Sequence, residues 1–291
     1  MKCFTILSSS EWKVIIHNLP PSFKQLIEFI ADDDHHVYIH IDQKNDGLFN
    51  QLKQYFQSFN TVFFLEQRMS INWGGLSQVL VTIQLLKQAS NRGYDFYHLI
   101  SGQDLFIKSK KEVSSFLKKN KGRQFLETLD IEENLWRIKG YYLFSDSKYN
   151  RTRPVYIINN FLSKFYRKYP LRPNFKGYKL YKGANWFTLS GDCVEYILNY
   201  LKEHPEYIRD YKYTICADEH FFQTLILNSP FKNTVVHNTL REIQWNGGPN
   251  PKTYTLEDYQ LICESEALFA RKFDSEVDNE IIKKVYQYIK E

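Results

Sequence analysis

VYIHIDQKNDGLFNQLKQYFQSFNTVFFL, residues 37–65, is the stretch that decides the fold class. VYIHID, 37–42, alternates and is rich in β-branched and aromatic residues, so it reads as a strand ending in an acid. Residues 48–59 read as a helix, and 61–65 as a second strand. Working outward, 13–17 (KVIIH) reads as a first strand. Pro20 and Pro21 open a helix through Phe23, Leu26, Ile27 and Phe29. Residues 32–36 form a turn. Downstream, Gly74 and Gly75 precede a helix over 76–89, and FYHLIS, 96–101, is a further strand followed by a polar turn, GQD.

Strands alternating with helices over the first hundred residues predict an α/β fold: a mostly parallel central sheet flanked by helices. Ligands of such sheets bind at the carboxyl ends of the strands. That singles out Asp42, Ser101, Gln103 and Asp104. The middle of the chain reads as irregular and basic. The pattern resumes with a strand in ANWFTLS, 184–190, a helix over 192–202 and a helix opened by ADEH. A turn over 247–251 and a C-terminal helix over 277–290 complete the reading. No repeat or linker divides the chain, so one domain over 1–291 is expected, with a basic, Tyr-rich insertion at about 140–182.

Composition supports a packed protein. Hydrophobic residues make up 43% and aromatics 16%, which argues against disorder. The net charge is +5, but residues 148–182 hold ten Lys and Arg and no acid. That segment carries +10 and the remainder −5. Such a patch suits anionic lipid, a diphosphate or nucleic acid, or is a solvated loop. No nucleic-acid-binding motif accompanies it. The four cysteines form no CxxC pair or zinc ligand set, and they fit buried thiols in a reducing compartment. No apolar run reaches about 18 residues, and the N-terminus makes no convincing signal peptide. The expected location is cytoplasmic, with a possible peripheral position on the inner face of the cytoplasmic membrane.

Four motifs can carry chemistry. ADDDHH, 31–36, has the Asp-x-Asp spacing that holds a divalent ion on a diphosphate. It lies before its strand rather than after it, so a solvated turn fits better and no metal site is assigned. INWGGLSQV, 71–79, lacks both phosphate-loop patterns; its glycines suit a tight turn or a close backbone approach to a ligand. In ADEHFFQT, 217–224, Asp218 is placed to cap a helix, which leaves Glu219 for proton transfer. LFARKFD, 268–274, sets Arg271 and Lys272 among apolar neighbours. With Lys252 they can neutralise a diphosphate without a metal.

The order of these blocks resembles glycosyltransferase family 14, the core-2/I-branching β-1,6-N-acetylglucosaminyltransferases and peptide O-xylosyltransferases. YIHIDQK, NWGGLSQV, YDFYHLISGQDLFIKS, FLET, KGANWFTLS, ADEHFFQT and LFARKFD carry the resemblance, which spans about residues 13–274. It implies a GT-A-like fold and an inverting transfer, without metal or other cofactor, from a UDP-sugar to a hydroxyl of a glycan or lipid-linked glycan. N-acetylglucosamine is the first donor expected, in surface polysaccharide or lipopolysaccharide synthesis; xylose is the alternative. Glu219 matches the family's catalytic base. Lys272, with Arg271 beside it, matches the group that meets the leaving diphosphate. Lys252 stands where the family's arginine partner is usual, and lysine lacks its bidentate fork. Asp42 matches the acid at the nucleotide. Glu127 matches an acceptor-binding acid; Trp136 lies in the same segment, and Asp104 is placed with them. From other classes, a non-catalytic carbohydrate- or nucleotide-binding module is the main competitor, although a binding module need not keep Glu219 and Lys272.

Overall fold

A computed structural model describes residues 2–7, 21–129, 132–169, 171, 175, 177–248 and 250–290. In chain order the strands and helices are β1 (Lys2–Leu7), α1 (Pro21–Ile30), β2 (His35–His40), α2 (Asp46–Tyr55), β3 (Val62–Phe64), α3 (Leu76–Ser90), β4 (Phe96–Ser101) and β5 (Asp104–Phe106). Then come α4 (Lys110–Lys119), β6 (Gln124–Leu126), α5 (Arg153–Lys168), β7 (Phe187–Ser190), α6 (Gly191–Glu203), α7 (Pro205–Asp210) and α8 (Phe221–Leu227). The chain ends with β8 (Val235–Val236), β9 (Arg241–Ile243), α9 (Tyr259–Glu264), β10 (Phe269–Arg271) and α10 (Asn279–Lys290).

Seven strands form the main sheet in the order β3-β2-β1-β4-β7-β6-β8. β3, β2, β1 and β4 pair in parallel. β7 runs antiparallel to both its neighbours, and β8 is parallel to β6. Six of the seven strands therefore point the same way, as the alternation predicts. The strand expected over 13–17 lies outside the described residues; β1 precedes it.

Alternation along the strands sorts side chains to two faces, and both faces are covered. Val37, Ile39, Phe96, Ile100 and Phe125 pack with Leu26, Ile27 and Ile30 of α1 and with α2, α4 and α10. Tyr38, Tyr97, Leu99, Leu126 and Leu189 pack with Val79, Leu85 and Leu86 of α3 and with α6 and α8. All six residues of β2 are buried. Its alternation therefore separates two cores rather than core from solvent, as parallel sheets require. Even its three histidines are internal: His40 Nε2 accepts from the Met69 N–H at 3.1 Å, and burial pulls the His40 pKa down to about 4.

Some expectations need correction. The middle is not irregular: α5 is a sixteen-residue helix opened by Pro154 within its first turn. α7 was not anticipated, and α2 ends at Tyr55, four residues short of the expected end. Asp104 does not lie in a turn but begins β5, in a small sheet ordered β5-β10-β9. Asp218 does not cap α8, whose N-cap is His220; it lies within a 3-10 turn, Ala217–Glu219. ADDDHH is a turn running into β2, and Lys110 Nζ donates to Asp32 at 2.6 Å. Cys193 and Cys216 are buried thiols.

Candidate active site

Strand direction fixes one edge of the sheet as the ligand edge. Asp42 follows β2, Ser101 ends β4 and Glu127 follows β6, so all lie at carboxyl ends. β7 is reversed, so the segment that enters it, residues 182–186, reaches the same edge.

That entering segment organises the site. The Gly183 N–H donates to the Glu219 carbonyl at 2.8 Å, and the Ala184 N–H donates to Glu127 Oε2 at 2.9 Å. A Cβ on Gly183 would stand 1.9 Å from the Glu127 carbonyl oxygen, so only glycine allows this approach. Three residues on, the Trp186 ring lies 4.7 Å from the Arg271 guanidinium and 5.2 Å from that of Arg241. Three residues span at most about 11 Å. A single short segment thus joins the turn bearing Glu219 to the arginine of LFARKFD.

Glu219 is held by two cations that sequence reading gave no site role. Arg137 Nη1 donates to Glu219 Oε2 at 2.7 Å, and Lys182 Nζ lies 3.5 Å from the same atom. Among the described residues Oε1 has no partner. The carboxylate is thereby oriented through one oxygen and open at the other. The turn itself is tied to the NWGG loop, where the Cys216 N–H donates to the Gly74 carbonyl at 2.8 Å. That loop is set in turn by Asp146, which accepts from the Ser77 N–H and hydroxyl, each at 2.7 Å. The glycines therefore admit a carboxylate of this same chain at the start of α3, not a ligand: a Cβ on Gly75 would fall 2.4 Å from Asp146 Oδ1.

Asp218 is half-buried next to Glu219, with its Oδ1 shut off from solvent. Burial and the Glu219 charge push its pKa up to about 7. His220 is buried, and burial pulls it down to about 3. Buried polar atoms without a partner gather here: Trp136 Nε1, Arg137 Nε, Asn185 Nδ2, Asp218 Oδ1 and Gln223 Oε1. Unpaired buried polar atoms cost about 1–3 kcal/mol each, so their concentration suits a polar ligand.

Around Arg271 and Lys272 the structure separates framework from free charge. Asp104 is fully buried; it accepts from the Ser101 N–H and hydroxyl, from Arg241 Nε at 3.4 Å and from Arg271 Nη1 at 2.8 Å. Its expected place among the acceptor contacts is thus corrected, because every direction around it is taken. Asp42 is also turned inward, accepting from the Lys44 and Ile71 N–H groups. Lys252 and Lys272 lie on paired backbone segments, and Lys252 Nζ is engaged by Asp258 at 2.5 Å. Lys272 has no side-chain partner among the described residues. Trp136 stands on the Glu219 side, with the Arg167 guanidinium 5.0 Å from its ring.

Among the described residues no group of three or more His, Cys, Asp and Glu is placed to hold a metal ion. Two clefts of about 380 and 530 Å³ open at the opposite edge, lined by Asp34, Asp95 and Lys118 and by Asp95, Gly191 and Glu195. The convergence of charged groups, not cleft size, places the candidate site at the carboxyl edge.

Residues 13–267 match the family described as Core-2/I-Branching enzyme. The chain is 24% identical to xylosyltransferase 1 of Rattus norvegicus over 305 aligned positions, covering 91% of this chain and 33% of that protein. It is 26% identical to xylosyltransferase 2 of Canis lupus familiaris over 282 positions, covering 89% and 31%. The chain therefore spans about a third of the length of these relatives.

Proposed function

Because the chain belongs to the Core-2/I-branching enzyme family, glycosyltransferase family 14, and has that family's GT-A-like α/β fold, we propose that it transfers a sugar from a UDP-sugar to a glycan hydroxyl. The observation that carries this reading is the 182–186 segment, which joins the turn bearing Glu219, through the Gly183 N–H on its carbonyl and Lys182 Nζ on its carboxylate, to the cation at Arg271. Transfer with inversion needs a base on one side of the anomeric carbon and positive charge on the other.

In this reading the acceptor oxygen attacks the anomeric carbon from the face opposite UDP. The new O–C bond forms as the bond to the diphosphate oxygen breaks. The hydroxyl proton passes to Glu219 Oε1, while Arg137 and Lys182 hold Oε2. The electron pair leaves with UDP, whose charge is met by Lys272 and Arg271, with Lys252 joining if it exchanges Asp258 for phosphate. Glu127 and Trp136 face the acceptor, and Asp42 shapes the nucleotide side. The diphosphate is met by these cations rather than by a divalent ion.

The resemblance to the branching N-acetylglucosaminyltransferases favours N-acetylglucosamine as the donor sugar, and the names of the relatives favour xylose. Thermal shift and hydrolysis with a panel of UDP-sugars, in EDTA and then with manganese, tests both points. Stabilisation by one UDP-sugar in EDTA supports the reading and names the donor. A response only with manganese overturns the role given to Lys252, Arg271 and Lys272. No response to any UDP-sugar overturns the proposal.

A further inference from the structure

The apolar surface of this protein is concentrated in one place. Eleven of the eighteen exposed large hydrophobic side chains among the described residues fall between Tyr141 and Leu171. On α5, Ile157, Phe161 and Phe165 recur at helical spacing; Phe161 is 70% exposed and Ile157 60%. At 100° per residue they make one stripe, with Ile158 beside it and Arg153, Lys164 and Lys168 along its flank. The opposite side of α5 is anchored: Val155, Ser163 and Tyr166 are buried, and the Tyr166 ring lies 5.5 Å from that of Tyr142. The helix is thus fixed to the protein by one side and offers isoleucine and phenylalanine to the surroundings by the other.

We propose that this face of α5, with the neighbouring 141–149 loop, docks on an anionic lipid bilayer. Charge decides the occupant. Arg153, Lys164 and Lys168 are exposed on α5, and residues 148–182 contain no Asp or Glu. A second copy of this chain would bring the same cations to a symmetric interface and be repelled. A bilayer with acidic headgroups supplies negative charge around an apolar interior, the environment that an amphipathic helix with a basic flank requires. No described helix is long and apolar enough to cross a membrane.

Docking has a consequence for the site. Arg167 of α5 lies 5.0 Å from the Trp136 ring, and the next residue, Arg137, holds Glu219. A docked α5 sets the Glu219 turn near headgroup level and selects an acceptor borne on the bilayer. This last step rests on the proposed transferase activity; the docking itself does not.

Co-sedimentation of the full chain with phosphatidylcholine vesicles, with and without phosphatidylglycerol, tests the proposal. Binding is expected only with phosphatidylglycerol and weakens as salt rises. Ile157→Glu with Phe161→Glu should lower the partition coefficient at least about tenfold. Lys164→Gln and Lys168→Gln should lower it roughly fivefold each. These sites are exposed, so thermal stability and transfer to a soluble acceptor should not change. Vesicle binding by a protein without transferase activity would keep the docking and overturn only the proposed function. No binding at low salt, undiminished binding by the double glutamate variant, or a dimer that Phe161→Glu dissociates would overturn the docking.

Discussion

Arg137 donates to Glu219 across 82 positions of sequence, and it does so to a single carboxylate oxygen at 2.7 Å. A base held by one oxygen keeps its second at a defined angle. Glu219→Gln keeps the shape and loses the proton acceptor. Transfer should fall by about 10²–10⁴-fold while UDP binding by calorimetry stays within about twofold. Arg137→Ala should lower kcat with little change in donor KM, and Arg137→Lys should recover part of the loss. Near-normal turnover in the glutamine variant would remove Glu219 from its role.

Asp104 joins the main sheet to the small one. It pairs with Arg271 in register across β5 and β10, and with Arg241 from β9. Burial draws Arg241 down to about 10, with Asp104 as its compensating charge. Asp104→Ala would leave a buried guanidinium unpaired, at a cost of about 3–5 kcal/mol in urea unfolding. Arg271→Ala should cost less, because Arg241 remains on Asp104, yet it should weaken donor binding more than Lys252→Ala does. Equal stability of wild type and Asp104→Ala would show that the ion-pair hub does not form.

The sequence revealed β2, β3, β4 and β7 because they are rich in β-branched and aromatic residues and bounded by turns, and it did not reveal β1, β6 and β8. It concealed α5, whose apolar residues face outward and whose cations made the segment read as loop. β5, β9 and β10 were hidden for another reason: each spans three residues and is defined by partners far away in the chain. The same holds for the site. Glu219, Arg271 and Lys272 stand in recognisable blocks. Arg137 and Lys182 acquire meaning only when the 3-10 turn meets the entry to β7. Lys182 did stand in KGANWFTLS, and Arg137 directly follows Trp136, but neither neighbour implied a carboxylate partner.

Gly183 tests whether the 182–186 segment is the part that aligns the site. Its N–H reaches the Glu219 carbonyl, and an added Cβ would meet the Glu127 carbonyl at 1.9 Å, where the obstacle is backbone. Gly183→Ala must push the segments at 127 and 183 apart. A loss of about 1–3 kcal/mol is expected, together with reduced turnover at saturating donor. Gly248→Ala is the control, since open space surrounds that position. If both variants behave alike, the close approach at Gly183 is not what positions Glu219.

Asp218 makes the pH dependence of stability specific. Its folded pKa, raised to about 7 by burial and by Glu219, exceeds the ordinary value of 3.8. The folded chain therefore holds this proton more tightly than the unfolded chain. The resulting stability is fully present below about pH 4 and is lost as pH rises through about 7. Asp218→Asn removes the titration while keeping a neutral group of similar shape. Relative to the asparagine variant, wild type should lose up to about 4 kcal/mol between pH 4 and 8 in urea unfolding. The variant should then be the more stable protein at pH 8. Parallel curves for the two proteins across this range would mean that Asp218 ionises without penalty, and that Glu219 does not sit beside a neutral acid.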